Sequence, residues 1–273
     1  MISQPDFQKV SGYLLQKTGI IITAEHAGSV KRFIEKKTQG SGIKNYLESL
    51  EKNEMEFHEL IKNATIHETY FFREEKYFHL LDSFILPAIK NAGHAPYIWS
   101  AAAATGEEAL SLAVVLCRHW NMETLRSRPL LATDIDIFSL RRLEEGFYSA
   151  GSFRTDGSFF HNVLLQKGTK NEKGFTVNAD FLRLIQFKKL NLVQDDYLSI
   201  LPQQPDIVFL CNILVYFDGA VRDRVIDRIA AVIRPGGYLF VSSVNTAFIS
   251  HPALTLQETG KCFYFKKQAQ KSV

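Results

Sequence analysis

The chain has 273 residues, 46% of them hydrophobic and 22% charged, with a formal net charge of +3. This is ordinary globular composition and excludes a chain-wide basic field of the kind that recruits nucleic acid. Cys117, Cys211 and Cys262 are scattered without C-x-x-C spacing, which argues against a disulfide framework or a zinc site and suits a reducing compartment.

The opening stretch MISQPDFQKV lacks the apolar core of a signal peptide, and no apolar run reaches the roughly 18 residues of a membrane span. The expectation is a soluble cytoplasmic protein without membrane insertion, and nothing demands more than a monomer. Residues 1–80 read as a small helical domain with a linker. Phe7, Val10, Tyr13, Leu14 and Leu15 recur at helical spacing, and Gly19 follows as a stop. A second helix is expected from Ala27 to Thr38. Its stretch VKRFIEKK sets Lys31, Arg32, Lys36 and Lys37 against Glu35. Such a run is either a solvated helix face or a docking face for an acidic partner. A third helix is expected from Ile43 to Leu60.

Residues 81–273 have a different rhythm. YIWSA, RPLLATDID, IQFKKLNL, PDIVFLCN and GYLFVSS read as strands. Helices are expected between them at Glu107–Trp120, Ile137–Glu145 and Ala220–Ile233. The alternation predicts a parallel α/β sheet with helices on both faces. At about 150–185 the stretches LLQKGT and GFTVNADF flank the polar turn KNEKG. They read as a β-hairpin inserted into the alternating unit.

In an open parallel sheet, ligands sit beyond the carboxyl ends of the strands. The first strand runs into AAAATGEE (Ala101–Glu108), which contains neither GxGxxG nor GxxxxGK[ST]. Glu107 and Glu108 suit a helix N-terminus but repel phosphate. The ligand should lack phosphates, and S-adenosylmethionine fits. The alanines and Gly106 would let the backbone approach it closely. The plainer alternative is a helix start with two dipole-friendly glutamates. Asp134, at the second strand end, is either a ribose-hydroxyl acceptor or a helix cap; Asp136 is the better cap. Asn212 ends the apolar strand FLCN and is either a loop residue or a ligand contact. RPGGYLFV, a Pro-Gly-Gly turn before a buried strand, is frequent in S-adenosylmethionine-dependent methyltransferases.

Taken in order, TIHETYFFRE (Thr65–Glu74), IWSAAAATGEEALSLA, ATDID, EGFYS, Asn191-Leu192, FLCNILVYFD and RPGGYLFVSS resemble one family. It is the chemoreceptor glutamate methyltransferases of bacterial chemotaxis (CheR). The resemblance spans nearly the whole chain. It implies an α/β fold: a Rossmann-like methyltransferase core, an inserted small antiparallel β-subdomain and an N-terminal helical domain. It implies methyl transfer from S-adenosylmethionine to receptor glutamates, leaving S-adenosylhomocysteine, with no metal. The implied partner is the cytoplasmic helical region of methyl-accepting receptors, with no nucleic acid.

Position by position, the resemblance puts His67, Thr69, Arg73, Glu108, Asp134, Asn191, Leu192, Cys211 and Asn212 at the cofactor, with Tyr216 facing the transferred methyl. His67 stands where many members carry Asn, with a buried or capping histidine as the alternative. Cys211 stands where many carry Arg. Ala109-Leu110 replaces a common Pro-Tyr, and Val244-Asn245 a common Ser-Glu.

A glutamate with an ordinary pKa near 4.3 is ionised at neutral pH, so the implied nucleophile needs no base. Arg73 and Tyr216 are expected to position it; core packing is the alternative for Tyr216. Lys31, Arg32, Lys36 and Lys37 become a candidate dock for a glutamate-rich helical bundle, and the hairpin edge a candidate for pairing with an extended receptor tail. A rival reading keeps the cofactor site without receptor methylation, as a sensor or scaffold. Cys211 and Asn245 motivate it. A nicotinamide oxidoreductase fails on the missing glycines.

Overall fold

The computed structural model describes residues 2–65, 68–154 and 158–269. The chain opens with α1 (Gln4–Thr18), α2 (Ala24–Thr38), α3 (Gly42–Lys52) and α4 (Glu54–Ala64). Ser3 caps α1 by accepting from the Asp6 N–H, and Gly19 ends it in the left-handed region at φ 75°. The single helix expected over Ile43–Leu60 is two. The Asn53 side chain leaves the helix and accepts from the N–H groups of Met55 and Glu56, starting α4. The apolar rhythm continues across this break, so periodicity alone does not reveal it.

After the segment containing Phe71–Glu75 come α5 (Lys76–Leu80), a π-helical turn (Leu81–Ile85) and α6 (Leu86–Asn91). The alternating unit follows: β1 (Ile98–Ser100), α7 (Glu107–Leu116), α8 (Met122–Ser127), β2 (Leu130–Asp134) and α9 (Ile137–Glu145). The insertion consists of β3 (Phe147–Tyr148), α10 (Phe159–Leu165), β4 (Gly168–Asn171), β5 (Gly174–Val177) and α11 (Ala179–Leu182). Then come β6 (Ile185–Lys189), β7 (Ile207–Leu210), α12 (Gly219–Val232), β8 (Tyr238–Val241), β9 (Leu254–Thr259) and β10 (Cys262–Lys267).

The main sheet has the order β6-β2-β1-β7-β8-β10-β9. Its first five strands are parallel, while β10 runs antiparallel to β8 and to β9. The expected parallel core is present, and the sequence reading lacked the antiparallel edge pair. The insertion is a three-stranded antiparallel sheet, β3-β5-β4. Leu164 and Leu165, expected in its first strand, belong to α10, and Phe147–Tyr148 supplies the third strand.

One apolar cluster joins Phe7, Leu14, Val30, Leu50 and Ile61 of the N-terminal helices to Trp99, Leu131 and Val208 on one sheet face. A second joins Phe72, Phe78, Leu110 and the insertion's Phe175 to Ile98, Phe209 and Phe240 on the other. The N-terminal helices therefore share a core with the sheet.

Candidate active site

Strand order reverses between β1 and β7, where the chain's two windings diverge. The main cavity lies there, beyond the carboxyl ends of β1, β2 and β7, with an open volume of about 890 Å³. A narrower slot of about 320 Å³ adjoins it and shares Ile20, Ala102, Asp134, Ile135 and Ile213 with it.

The loop after β1 forms the floor. The Ala104 N–H donates to Asp134 Oδ2 at 2.8 Å, and Ala104 is held at φ 47°. Asp134 Oδ1 accepts from the Asp136 N–H at 2.9 Å. Asp136, as expected, is the cap: it accepts from the Phe138 N–H and the Ser139 hydroxyl. Gly106 serves a purpose other than the expected one. A Cβ there would meet Leu143 of α9 at 2.3 Å, so its bareness admits a packed helix rather than a ligand.

The two glutamates of α7 diverge. Glu107 is buried and accepts from the hydroxyls of Thr105 (2.6 Å) and Ser152 (2.8 Å), which ties the insertion to the core. Glu108 lines the cavity and accepts from the Ser100 hydroxyl at 2.6 Å. Burial pushes its carboxyl up to about 7, with the charge of Glu74 adding to the rise; hydrogen bonds from Ser100 and Cys211 oppose it. The Cys211 thiol is pushed well above its ordinary range by burial first, then by Glu108 and Glu74. Asn212 turns the chain at φ 60°, a conformation asparagine tolerates, with its N–H donating to Ser242 Oγ at 2.7 Å.

Arg73 and Glu74 come from a contorted turn. Phe72 and Glu74 both have φ near 57°. The Phe72 N–H donates to Ser111 Oγ and the Phe71 N–H to the Ser152 carbonyl. Glu74 accepts from the Ser243 hydroxyl at 2.8 Å. Strain of this kind persists only where the surroundings over-determine it. Here α7, the insertion and the loop after β8 all pin the turn. Arg73 donates to the Glu68 carbonyl and lies over the Tyr70 ring.

Of the residues singled out from the sequence, Thr69, Arg73, Glu108, Asp134, Cys211, Asn212 and Tyr216 all line the main cavity. Asn191 and Leu192 line the adjoining slot. The Asn191 side chain is engaged in shaping the wall: it donates to the Lys17 carbonyl and accepts from the N–H groups of Val193 and Gln194. His67 lies outside the described residues. Lys31, Arg32, Lys36 and Lys37 lie on α2 and do not line the cavity. Arg32 and Lys36 are exposed, Lys31 donates to Gln4, and Lys37 pairs with Glu59.

The sequence reading missed Ile20, Ile135 and Ile213, the apolar walls, Glu74 among the polar ones, and Ser100, which holds Glu108 from behind. Each isoleucine follows a feature that was legible, namely the Gly19 stop, Asp134 or Asn212. Their apolar side chains carry no polar strand-end signal.

The cavity fits S-adenosylmethionine. Carboxylates rather than clustered backbone N–H groups face the larger lobe, which suits a cation and not a phosphate. The slot, walled by Ile20, Leu192, Ile213 and Phe217, suits a flat ring. Asp134 stands in the wall common to both. No helix among the described residues is long and apolar enough to cross a membrane.

Residues 67–258 match the family model described as CheR methyltransferase, SAM binding domain. A chemotaxis protein methyltransferase of Klebsiella aerogenes is 29% identical, over 91% of this chain and 86% of that protein. Chemotaxis protein methyltransferase 2 of Pseudomonas aeruginosa is 29% identical, over 94% and 92%. Its counterpart in Vibrio cholerae is 27% identical, over 100% and 96%.

Proposed function

The chain belongs to the CheR methyltransferase family, and from that premise we propose that it methylates glutamate side chains of chemoreceptors, forming glutamate methyl esters. One observation carries the reading: Arg73, Glu108, Asp134, Asn212 and Tyr216, drawn from five separate segments, line one cavity at the switch point of the sheet. S-adenosylmethionine, when bound, supplies an electrophilic methyl group on a sulfonium.

The chain's own residues do the rest. Asp134 takes the ribose hydroxyls, Asn191 and Leu192 flank the adenine, and Glu108 faces the methionine amino group. Thr69, Arg73, Cys211 and Asn212 complete the lining. The acceptor glutamate arrives ionised, so no residue is needed as a base. Arg73 orients that carboxylate through its planar fork, and the Tyr216 hydroxyl donates one hydrogen bond to it. Tyr216 is only 6% exposed, so this contact is made in a largely water-free setting where alignment and desolvation lower the barrier.

The partner in this reading is the helical cytoplasmic region of a receptor, met by a cytoplasmic monomer. Arg32 and Lys36, with Lys31 and Lys37 beside them, dock the acidic bundle. The β4 edge, where Thr169, Lys170 and Asn171 are exposed, is available to an extended receptor tail. The division into a helical domain over 1–80 and a methyltransferase domain over 81–273 belongs to the same proposal.

The test is incubation with methyl-labelled S-adenosylmethionine and membranes carrying chemoreceptors. Base-labile label on the receptor band is expected. Cofactor binding with no transfer to any receptor would replace the reading with that of a sensor or scaffold.

A further inference from the structure

Three segments bring polar or charged groups against Glu108. The turn before α5 supplies Arg73 and Glu74, the end of β1 supplies Ser100, and the end of β7 supplies Cys211. Glu68, Asp134 and Asp136 line the same cavity. Among the described residues in that lining, Arg73 is the sole cationic side chain, set against five carboxylates. Arg73 is itself turned to the Glu68 carbonyl and the Tyr70 ring. The group nearest in chemistry to Glu108 on the β7 side is the thiol of Cys211, which donates a hydrogen bond but brings no positive charge.

We propose that Glu108 is a proton-exchanging cofactor ligand: it holds a proton while no ligand cation stands beside it and releases that proton when a cationic amino group binds, with Glu74 and Cys211 as the positioning residues that set the exchange. The inference rests on the placement of the methionine amino group against Glu108 proposed above. Two carboxylates sharing one desolvated site disfavour double ionisation, and a cation between them reverses that preference. The proton balance is simple. The carboxylic acid O–H of Glu108 breaks, the proton passes to water, and the ammonium of the ligand replaces it as the neutralising charge. The rise of the Glu108 carboxyl to about 7 puts the exchange in the physiological range. Binding of an amino-acid-bearing ligand therefore strengthens as pH rises and levels off above neutrality.

S-adenosylhomocysteine carries the same amino group and does not react, so it is the probe. Titration calorimetry at pH 6, 7 and 8, in two buffers of different ionisation heat, reads affinity and protons released together. Affinity is expected to be about tenfold weaker at pH 6 than at pH 8, with close to one proton released at pH 6 and almost none at pH 8. Glu108→Gln should bind without pH dependence and without proton release. Glu74→Gln should move the midpoint down, and Cys211→Ala should move it up. Cys211→Arg should abolish release at pH 6. A merely structural contribution would lower affinity equally at every pH. Binding that is flat from pH 6 to 8 without proton release overturns the inference and leaves the methyltransferase reading standing. No binding at any pH overturns both. Midpoints unmoved by Glu74→Gln and Cys211→Ala remove those two residues from the device.

Discussion

Asp134 and Asp206 sit at opposite ends of the parallel part of the sheet, on different strands, and are held in opposite ways. Asp206, just before β7, is 2% exposed and ringed by side chains: Arg128, Arg234 and His94 reach it, and the Tyr97 N–H donates to it at 2.6 Å. Asp134, ending β2, accepts from the backbone N–H groups of Ala104 and Asp136 and stands in the wall of both lobes of the cavity. The lower carboxylate is consumed in tying strand starts together. The upper one shapes a loop and faces the ligand space. The same residue type is thus enclosed by side chains at one end of the sheet and left facing a cavity at the other.

The comparison breaks if the two residues behave alike. Asp206→Ala should cost about 3 kcal/mol of stability, because the buried Tyr97 N–H loses its acceptor and the partly exposed Arg128 and Arg234 lose the carboxylate they share. Urea unfolding reads this, and an unshifted midpoint would end the contrast. Asp134→Ala should weaken S-adenosylhomocysteine binding by about 1–3 kcal/mol, while its loss of stability stays smaller than that of Asp206→Ala. Unchanged calorimetric affinity would remove Asp134 from the site. Within the upper end, Arg73→Ala and Tyr216→Phe should each lower methyl transfer about tenfold, roughly 1.4 kcal/mol, with the melting temperature nearly kept. Wild-type turnover in both would end their positioning role. The smallest effect sharpens the picture outside the sheet. Paired Lys36→Glu and Lys37→Glu changes should raise the apparent KM for receptor a few-fold and flatten its salt dependence. An unaltered salt profile would return α2 to a solvated surface.

Strand ends were legible because a parallel sheet gives each strand the same grammar: an apolar run, a polar stop, a helix. That grammar exposed Asp134 and Asn212 directly. It did not expose Glu74, whose place depends on a left-handed backbone held by contacts to Ser111, Ser152 and Ser243, far along the chain. It gave the wrong reason for Gly106, since the Leu143 side chain it admits comes from another helix. The β9–β10 pair carried a local cue, a two-residue Gly260-Lys261 turn between alternating stretches. Nothing in the alternating unit predicts an antiparallel edge.

The loop after α1 is joined to the far end of the chain by a main-chain bond, from the Ile21 N–H to the Tyr216 carbonyl, and by the Asn191 amide to Lys17. Ile20, between these ties, walls both lobes. During synthesis, which runs from the N-terminus, this wall is made long before Tyr216 arrives to tie it down. The pocket therefore cannot close until Tyr216 has emerged, with α12 and the β8, β9 and β10 part of the sheet still to follow.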